Sequence, residues 1–263
     1  MDKLKLSNGI EIAYKISGDN KGSKMVLLHD LFVNSDIWKF QIPFFEKDFN
    51  ILRFDLRGHG RSTKPEEGYT IRNYVDDLNE ILSKLSWQNN IYLIGHSLGA
   101  MIGVIYSLEN PSHVKRLVLI DSFCHFSQES VNNLLERIET YTLKEFCEII
   151  IRRSLIPFNQ NKANLIENLI LNNMTGKNCL NAVRAYSGFQ ICGELQNLRI
   201  PTLIVVGEKD QITPTWASEM MHSWIPNSNL VVISEAGHQI NLNHHKQLNN
   251  IIQSFWNEEM SKI

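Results

Sequence analysis

The sequence contains few cysteines and no long apolar run, and each absence excludes a class of protein. The four cysteines stand too far apart for a zinc motif, and we interpret them as small apolar fillers of a protein in a reducing compartment. They are Cys124, Cys147, Cys179 and Cys192. No apolar run approaches the ~20 residues that a membrane span needs, and the first residues lack the apolar segment of a secretory signal. We therefore expect a cytoplasmic protein that has no membrane as a partner.

An excess of charge of one sign is also missing. The sequence has 26 lysines and arginines against 28 aspartates and glutamates, a formal net charge of -2, and no Lys/Arg tract occurs. Because nucleic-acid binding depends on excess positive charge, we expect no nucleic acid as a partner. No spacing of side chains fits a metal site, and neither a Gly-x-Gly-x-x-Gly nor a Walker pattern occurs, so we expect no metal and no cofactor.

What the sequence does contain is an alternation of apolar runs and helical periods. Continuous apolar runs are typical of strands that are buried on both faces of a sheet. They cover residues 25–28, 51–54, 91–94, 117–120, 202–206 and 230–233. Alternating residues around Asn8 and Gly9 predict an N-terminal hairpin, and the apolar residues that follow a capping Thr70 have helical spacing. The pattern predicts an α/β fold, in which helices cover both faces of a mostly parallel sheet.

One long stretch interrupts this alternation. From about residue 122 to residue 197 no strand-like run occurs, while apolar residues recur at helical spacing. We predict a helical cap, or lid, at residues 122–197, inserted into an α/β core domain of residues 1–121 and 198–263. The 263 residues are enough for one large domain with such an insertion.

The strongest chemical signal is Gly95-His-Ser-Leu-Gly99. It follows the apolar run 91–94 and opens a helical stretch, so we predict a sharp strand-to-helix turn for which the glycines leave room. Such a turn strains Ser97 and places its hydroxyl at the carboxyl edge of the sheet, above the N-terminus of the next helix. Ser97 is therefore the predicted nucleophile.

A serine hydroxyl needs a base, and the base needs an acid that orients it. Both are expected after the serine, first the acid and then a histidine, at the ends of later strands. Asp210 and His238 each follow an apolar run and fit this order. Asp121 and Glu208 are the alternatives for the acid, because each also stands near the end of a run.

Other histidines are expected to be structural or solvated. His96 adjoins the nucleophile, and we expect it to pack rather than to react. Five more occupy predicted loops or polar helix faces, where we expect solvated side chains. These are His59, His113, His222, His244 and His245.

Together these features resemble the α/β-hydrolase superfamily, in its branch of serine esterases, 3-oxoadipate enol-lactonases and cofactor-free haloperoxidases. The resemblance runs along almost the whole chain and is weakest in the cap. Besides the three catalytic candidates it includes His29-Asp-Leu31 with Trp38, Asp55-Leu-Arg-Gly-His-Gly-Arg-Ser62, and Ile200-Pro-Thr-Leu-Ile-Val-Val-Gly-Glu-Lys-Asp210. It implies an eight-stranded sheet, no cofactor, and a catalytic triad of Ser97, Asp210 and His238.

The resemblance also implies an oxyanion hole formed by the backbone N–H groups of Leu31 and Leu98. Two such donors stabilise the negative oxygen of the intermediate, and losing one costs about 3 kcal/mol in comparable sites. Relatives usually carry glycine before the first donor, whereas this chain has Asp30. A carboxylate aimed at the hole would oppose the oxyanion, and we expect it to turn instead towards solvent or towards His29.

The chain is therefore expected to hydrolyse a small or medium carboxylic ester or lactone through an acyl-enzyme on Ser97. Carbon–carbon bond hydrolysis, peracid formation and acyl transfer use the same three residues and stay open, as does a homodimer. A function of a different class, that of a ligand-sensing receptor with slow turnover, also stays open. Asp30 is the one feature of the sequence that favours it. Haloalkane dehalogenases and epoxide hydrolases are excluded, because they carry aspartate where this chain has Ser97.

The substrate pocket is expected to include apolar residues of the cap, although packing within the cap explains the same residues equally well. The residues that we assign to the pocket are His29, Asp30, Phe123, Phe126, Phe158 and Tyr186. A clamp for a substrate carboxylate could come from the cap arginines, but we interpret these as solvated surface residues. They are Arg152, Arg153 and Arg184.

Overall fold

The apolar runs of the sequence become neighbouring strands of one sheet. The computed structural model describes residues 1–257, in which eight strands occur. They are β1 (Asp2–Lys5), β2 (Glu11–Gly18), β3 (Ser23–Leu28), β4 (Phe49–Phe54), β5 (Ile91–His96), β6 (Val114–Ile120), β7 (Thr202–Gly207) and β8 (Ser228–Ile233). Their order across the sheet is β1-β2-β4-β3-β5-β6-β7-β8, and all neighbours from β4 onwards are parallel. The predicted α/β fold with a mostly parallel sheet is confirmed.

The first two strands form the predicted hairpin. β1 and β2 are antiparallel, and Gly9 in the turn between them has a φ of 85°, which glycine adopts without strain. β2 also pairs with β4 in antiparallel orientation. The hairpin therefore extends one edge of the parallel sheet.

Burial of the strands follows their position in the sheet. Every residue of β5 and β7 is buried, as predicted for strands that are covered on both faces. β8 lies at the edge of the sheet, and its Val232 is 44% exposed. The prediction of full burial is wrong for the run 230–233, because an edge strand has a neighbouring strand on one side only.

Helices surround the sheet, and one continuous cluster of buried apolar side chains joins the strands to them. The α-helices are α1 (Ile42–Phe45), α2 (Ile71–Lys84), α3 (Leu98–Glu109), α4 (Gln128–Thr140), α5 (Leu143–Ser154), α6 (Gln160–Leu171), α7 (Gly176–Arg184), α8 (Thr215–Trp224), α9 (Ile240–Asn243) and α10 (His245–Asn257). Two 3-10 helices cover Ser35–Trp38 and Cys192–Asn197. Thr70 caps α2 as predicted, because its side chain accepts the N–H of Asn73. Between residues 1 and 257, no helix has both the length and the apolar character that crossing a membrane requires.

We call residues 122–197, between β6 and β7, the helical insertion. It contains α4 to α7, in which α4 packs against α7 and α5 packs against α6. A disulfide joins Cys124 to Cys192 across 68 residues and ties the two ends of the insertion together. The interpretation as apolar fillers is wrong for this pair, whereas it fits the buried and free Cys147 and Cys179. The disulfide also argues against the reducing compartment that we expected.

Candidate active site

Ser97 stands between β5 and α3, where the chain turns sharply. Its φ of 51° and ψ of -110° lie outside the regions that non-glycine residues favour, so the backbone is strained there. Both flanking glycines are required, because a Cβ on Gly95 would lie 2.4 Å from the carbonyl oxygen of Gly99, and one on Gly99 would lie 2.2 Å from that of Leu28. The turn places Ser97 at the carboxyl end of β5, where the residue is buried.

Asp210 and His238 follow β7 and β8 and meet at the same edge of the sheet. His238 Nδ1 lies 2.8 Å from Asp210 Oδ2. The carboxylate also accepts the N–H groups of Ile212 and Thr213, at 2.7 and 3.0 Å, and the Thr213 hydroxyl at 2.6 Å. Burial alone would raise the pKa of Asp210, but the adjacent His238 and Thr213 hold it below its ordinary value. Asp210 is therefore an ionised group that is fixed against Nδ1.

The two alternative acids have other partners. Asp121 accepts a backbone N–H of β7 at 3.0 Å, and its second oxygen lies 3.5 Å from His96 Nε2. Burial raises the pKa of Asp121 to about 7. His96 donates to the carbonyl of His238 at 2.9 Å, so it packs behind the site as expected. Glu208 accepts hydrogen bonds from the loop after β8. Of the three candidate acids, Asp210 is the one that contacts the imidazole of His238.

The loop after β3 brings a second carboxylate to the imidazole. Asp30 Oδ1 accepts the N–H of Leu31 at 2.5 Å, and Oδ2 accepts the side-chain amide of Gln239 at 3.1 Å. Oδ2 also lies 3.6 Å from His238 Nε2, and Asp30 is only 6% exposed. The expected turn towards solvent or His29 is wrong. Both ring nitrogens of His29 are already engaged, by the carbonyl of Asp30 and by a backbone N–H of the loop after β4, so that ring cannot receive the carboxylate.

Two carboxylates therefore face opposite nitrogens of one buried imidazole. Burial lowers the pKa of His238, but Asp210 and then Asp30 outweigh this effect, and the pKa lies well above the ordinary imidazole value. Burial likewise opposes ionisation of Asp30, whose pKa is nonetheless lowered by His96 and His238. Both carboxylates therefore favour the protonated form of the ring, the imidazolium. An imidazolium cannot accept a proton from Ser97.

The two N–H groups that were predicted to form the oxyanion hole differ in their availability. Leu98 is the first residue of α3, so its N–H has no partner within the helix. The N–H of Leu31 is engaged by Asp30 Oδ1. Within residues 1–257, His238 also has no hydrogen bond to Ser97. A substrate carbonyl can use both donors only after the carboxylate of Asp30 has moved away from Leu31.

A cavity of about 240 Å³ lies between this edge of the sheet and the helical insertion. Four of the residues that we assigned to the pocket line it: Asp30, Phe123, Phe126 and Tyr186. Tyr186 also approaches the side chain of Ser97. His29 and Phe158 do not line the cavity, so their assignment to the pocket is wrong. His29, the first residue after β3, is fully buried, and Phe158 is 54% exposed to solvent.

The helical insertion also contributes two arginines to the cavity. Arg137 stands in the last turn of α4 and Arg153 in the last turn of α5, and both are half-buried where they line the cavity wall. The interpretation of Arg153 as a solvated surface residue is therefore wrong, because the end of α5 faces the site. Arg152 and Arg184 are exposed, as expected.

Three residues that the site depends on are among those that sequence reasoning missed. Thr213 holds Asp210, Gln239 holds Asp30, and Arg137 lines the cavity. Thr213 follows Asp210 by three residues, a spacing at which side chains often bond the nearby backbone, and this signal could have indicated it. Nothing in the sequence indicates which face of α4 is directed at the cavity.

Two groups of three residues have potential metal ligands within 4.8 Å of one another in the part of the chain that is described. They are Asp30, His96 and His238, and Asp121, Asp210 and His238. His238 belongs to both groups, and its Nδ1 is already bonded to a carboxylate.

One histidine that we expected at the surface is buried. His59 is fully buried, its Nδ1 bonds to the carbonyl of Arg57, and its ring packs edge-on against His29. Burial lowers the pKa of His59 to about 3. The expectation of a solvated side chain is wrong here, because the loop after β4 folds inwards. Of the other four, His222 is exposed, and the rest are partly exposed: His113, His244 and His245.

Known proteins with similar sequences and structures can now be compared with this geometry. Residues 25–245 match the family model described as the alpha/beta hydrolase fold. The chain is 27% identical to a bifunctional esterase/perhydrolase of Acinetobacter calcoaceticus over 232 residues, which cover 81% of this chain and 84% of that protein. It is 28% identical to a karrikin insensitive 2 receptor of Petunia hybrida over 247 residues, which cover 86% and 87% of the two chains.

Among solved structures, the enol-lactonase from Burkholderia xenovorans LB400 is similar with a TM-score of 0.89. The match covers 97% of this chain and 99% of that chain, at 19% sequence identity. At this level of identity the likeness shows the fold alone.

Proposed function

Because this chain belongs to the α/β-hydrolase family, we propose that it is a serine hydrolase that cleaves a small or medium carboxylic ester or lactone through an acyl-enzyme on Ser97. One observation carries the proposal. A strained Ser97 at the end of β5 shares a cavity with His238, whose Nδ1 is held by Asp210. The esterase activity in the name of one relative supports the same reaction class.

The first step forms the acyl-enzyme. Ser97 Oγ attacks the carbonyl carbon of the substrate while His238 Nε2 takes the hydroxyl proton. Asp210 keeps a proton on Nδ1 of the ring, so that Nε2 is the nitrogen that accepts. The N–H groups of Leu98 and Leu31 bind the negative oxygen of the tetrahedral intermediate. The intermediate then collapses, and the leaving alcohol oxygen receives the proton from His238.

Water completes the reaction in the second step. His238 takes a proton from water, whose oxygen attacks the acyl carbon, and the bond from that carbon to Ser97 Oγ breaks. The serine oxygen receives the proton, and the carboxylic acid leaves. Neither step requires a cofactor.

Asp30 holds this machinery in a resting arrangement. Its carboxylate is bonded to the N–H of Leu31 and faces His238 Nε2, which are the groups that the oxyanion and Ser97 need. Because like charges repel, an oxyanion is unfavourable beside the ionised carboxylate. Productive binding of a substrate therefore requires that the Asp30 side chain turn away. Hydrolysis is expected to be slow at neutral pH and faster at higher pH, where His238 loses its proton.

The same observation favours a second candidate function, slow-turnover ligand sensing. A sensor would react with its ligand about once per molecule, and turnover is slowed both by the engaged N–H of Leu31 and by the raised pKa of His238. One relative is named as a receptor, which supports this alternative. The number of turnovers per molecule separates the two functions.

Steady-state hydrolysis of 4-nitrophenyl esters and lactones of graded length tests the proposal. Wild type is expected to turn over many times and to show an acyl adduct by intact mass after quenching, and Ser97→Ala is expected to lose at least about 10⁴-fold in kcat/KM. Hydrolysis retained by Ser97→Ala would refute the serine mechanism. A single turnover by wild type would favour the sensor. Activity confined to carbon–carbon bonds, peracids or acyl transfer would keep Ser97 and change the reaction class.

The cytoplasmic location expected from the sequence stays a prediction. The disulfide between Cys124 and Cys192 argues against it, because disulfides are rare in reducing compartments. Fractionation of native cells, followed by alkylation of free thiols and mass measurement, decides the matter. A fully reduced protein in the cytosolic fraction would support the prediction.

A further inference from the structure

Two guanidinium groups of the helical insertion line the cavity that contains Ser97. Arg137 and Arg153 come from different helices of the insertion and reach the same cavity wall. The ion pairs within residues 1–257 include neither of them. By contrast, the buried guanidinium of Arg57 is paired with Asp77 through two nitrogens. The insertion therefore presents to the cavity two positive charges that no ion pair within residues 1–257 neutralises.

The two charges lie close enough to affect each other. Burial lowers the pKa of Arg153, and the charge of Arg137 lowers it further. Arg153 Nη2 donates to the carbonyl of Gln211 at 2.9 Å, which fixes the orientation of the guanidinium. Its remaining N–H groups have no protein acceptor among the described residues. The charge of Asp210 offsets part of this effect on Arg153, and a bound anion relieves the repulsion that remains between the two half-buried charges.

The charge at the catalytic end of the cavity is opposite. Asp30 lies beside Ser97 on the core wall, so the cavity is negative where the reaction occurs and positive on the wall of the insertion. An anionic group on a substrate is repelled from the first wall and attracted to the second. This polarity orients a substrate that carries its anionic group away from the scissile bond.

The donor geometry and the size of the cavity indicate the chemical class of that anion. A planar guanidinium matches the two oxygens of a carboxylate, which it binds through paired N–H bonds. Ser130 and Asn133 of α4 add neutral polar groups to the same lining. At about 240 Å³ the cavity is smaller than the roughly 300–1,000 Å³ of drug-sized sites, so the ligand is small.

We propose that Arg137 and Arg153 form a carboxylate-binding subsite, and that the preferred substrate is a small ester or lactone with a carboxylate remote from the scissile bond. The inference about substrate class rests on the proposed hydrolase function. The subsite itself is a binding site, and it can be tested without turnover.

The kinetic test compares two substrates of equal length. The mono-4-nitrophenyl ester of adipic acid carries the carboxylate, and the corresponding 4-nitrophenyl adipamate carries a neutral amide in its place. We expect wild type to prefer the carboxylate by about tenfold or more in kcat/KM, mainly through KM, and the preference to shrink at high salt. Arg137→Gln and Arg153→Gln are each expected to lower this ratio about tenfold. The exposed Arg152→Gln and Arg184→Gln are the matched controls and leave the ratio and both rates unchanged.

A binding test is independent of catalysis. Calorimetric titration of Ser97→Ala with adipamate, which carries one carboxylate, and with adipamide, which carries none, measures the subsite directly. We expect adipamate to bind and adipamide to bind at least about tenfold more weakly, and Arg153→Gln in the same background to remove the difference. Circular dichroism melts of every variant establish that it is folded.

The possible outcomes distinguish the carboxylate-binding subsite from the hydrolase function. Equal hydrolysis of both esters by wild type, with activity that depends on Ser97, would overturn the subsite and leave the hydrolase proposal standing. Preferential binding of adipamate by Ser97→Ala, with no hydrolysis by wild type, would support the subsite and refute the hydrolase. Equal or absent binding of adipamate and adipamide would overturn the subsite in either case.

Discussion

The two nitrogens of the His238 imidazole face two loops that each supply an aspartate, and the surroundings of the two aspartates differ. After β7, Asp210 is held by two backbone N–H groups and the hydroxyl of Thr213, and it contacts Nδ1 at 2.8 Å. After β3, Asp30 is held by the N–H of Leu31 and the amide of Gln239, and it faces Nε2 at 3.6 Å.

The effect of a carboxylate on His238 therefore depends on which ring nitrogen it faces. At Nδ1 a carboxylate selects the tautomer and stabilises the imidazolium that forms during the reaction. At Nε2 a carboxylate stabilises the imidazolium before the reaction begins, and it also engages an oxyanion donor. We therefore expect changes on the two sides of His238 to have opposite signs.

The largest effect is expected on the Nδ1 side. Asp210→Asn removes the charge and lets the imidazole adopt the wrong tautomer, so kcat should fall about 10⁴-fold while folding is preserved. Ester hydrolysis and thermal melts of the variant provide the measurement. Asp121→Asn is the matched control, since Asp121 accepts an N–H of β7 and faces His96 instead of the ring of His238, and its loss in kcat should be much smaller. A larger loss from Asp121→Asn would reverse the roles of the two acids.

A tenfold effect of opposite sign is expected on the Nε2 side. Asp30→Gly removes the carboxylate and frees the N–H of Leu31, so kcat/KM at pH 7 should rise about tenfold. Asp30 raises the pKa of His238, so its removal lowers that pKa, and the rising limb of the pH–rate profile should move to lower pH.

Asp30→Asn separates the two contributions of this carboxylate. It removes the charge and keeps an oxygen that can accept from Leu31, so we expect the shift of the pH profile with little of the gain in rate. The profiles of wild type and both variants are measured with one neutral ester. A loss of activity in Asp30→Gly with an unshifted profile would mean that Asp30 takes part in catalysis instead of restraining it.

The smallest effects come from the residues that hold each carboxylate. Thr213→Val removes the hydroxyl donor of Asp210 and should lower kcat/KM a few-fold, whereas Gln239→Ala releases Asp30 and should raise it a few-fold. Parallel kinetics on one ester compares the two variants. Changes of the same sign would show that the two loops do not act in opposition.

The sequence predicts the meeting of Ser97, Asp210 and His238 because the carboxyl ends of parallel strands lie at one edge of the sheet. By the same rule the loop after β3 belongs at this edge, since β3 is a neighbour of β5. The orientation of Asp30 does not follow from that rule. It depends on which hydrogen-bonding groups around it are free, and the two bonds of the His29 ring are visible only in the structure.

The helical insertion is less predictable for a related reason. Helical spacing indicates that its segments are helices, but not which face of each is directed at the site, so Arg137 is missed and Arg153 is misinterpreted. The pairing of Cys124 with Cys192 depends on a fold that brings their Cα atoms to 4.9 Å across 68 residues. Neither the spacing of the cysteines in the sequence nor the composition of the chain indicates that distance.

The central claim is that Ser97 is an activated nucleophile whose base is restrained by Asp30. The most direct measurement is the rate at which a fluorophosphonate labels the protein, followed by intact mass between about pH 5 and pH 10 beside Ser97→Ala. We expect one adduct per molecule, no adduct on Ser97→Ala, and a rate that rises with pH through a midpoint above the ordinary imidazole value. Folded wild type that stays unlabelled throughout, or an adduct that persists on Ser97→Ala, would contradict it.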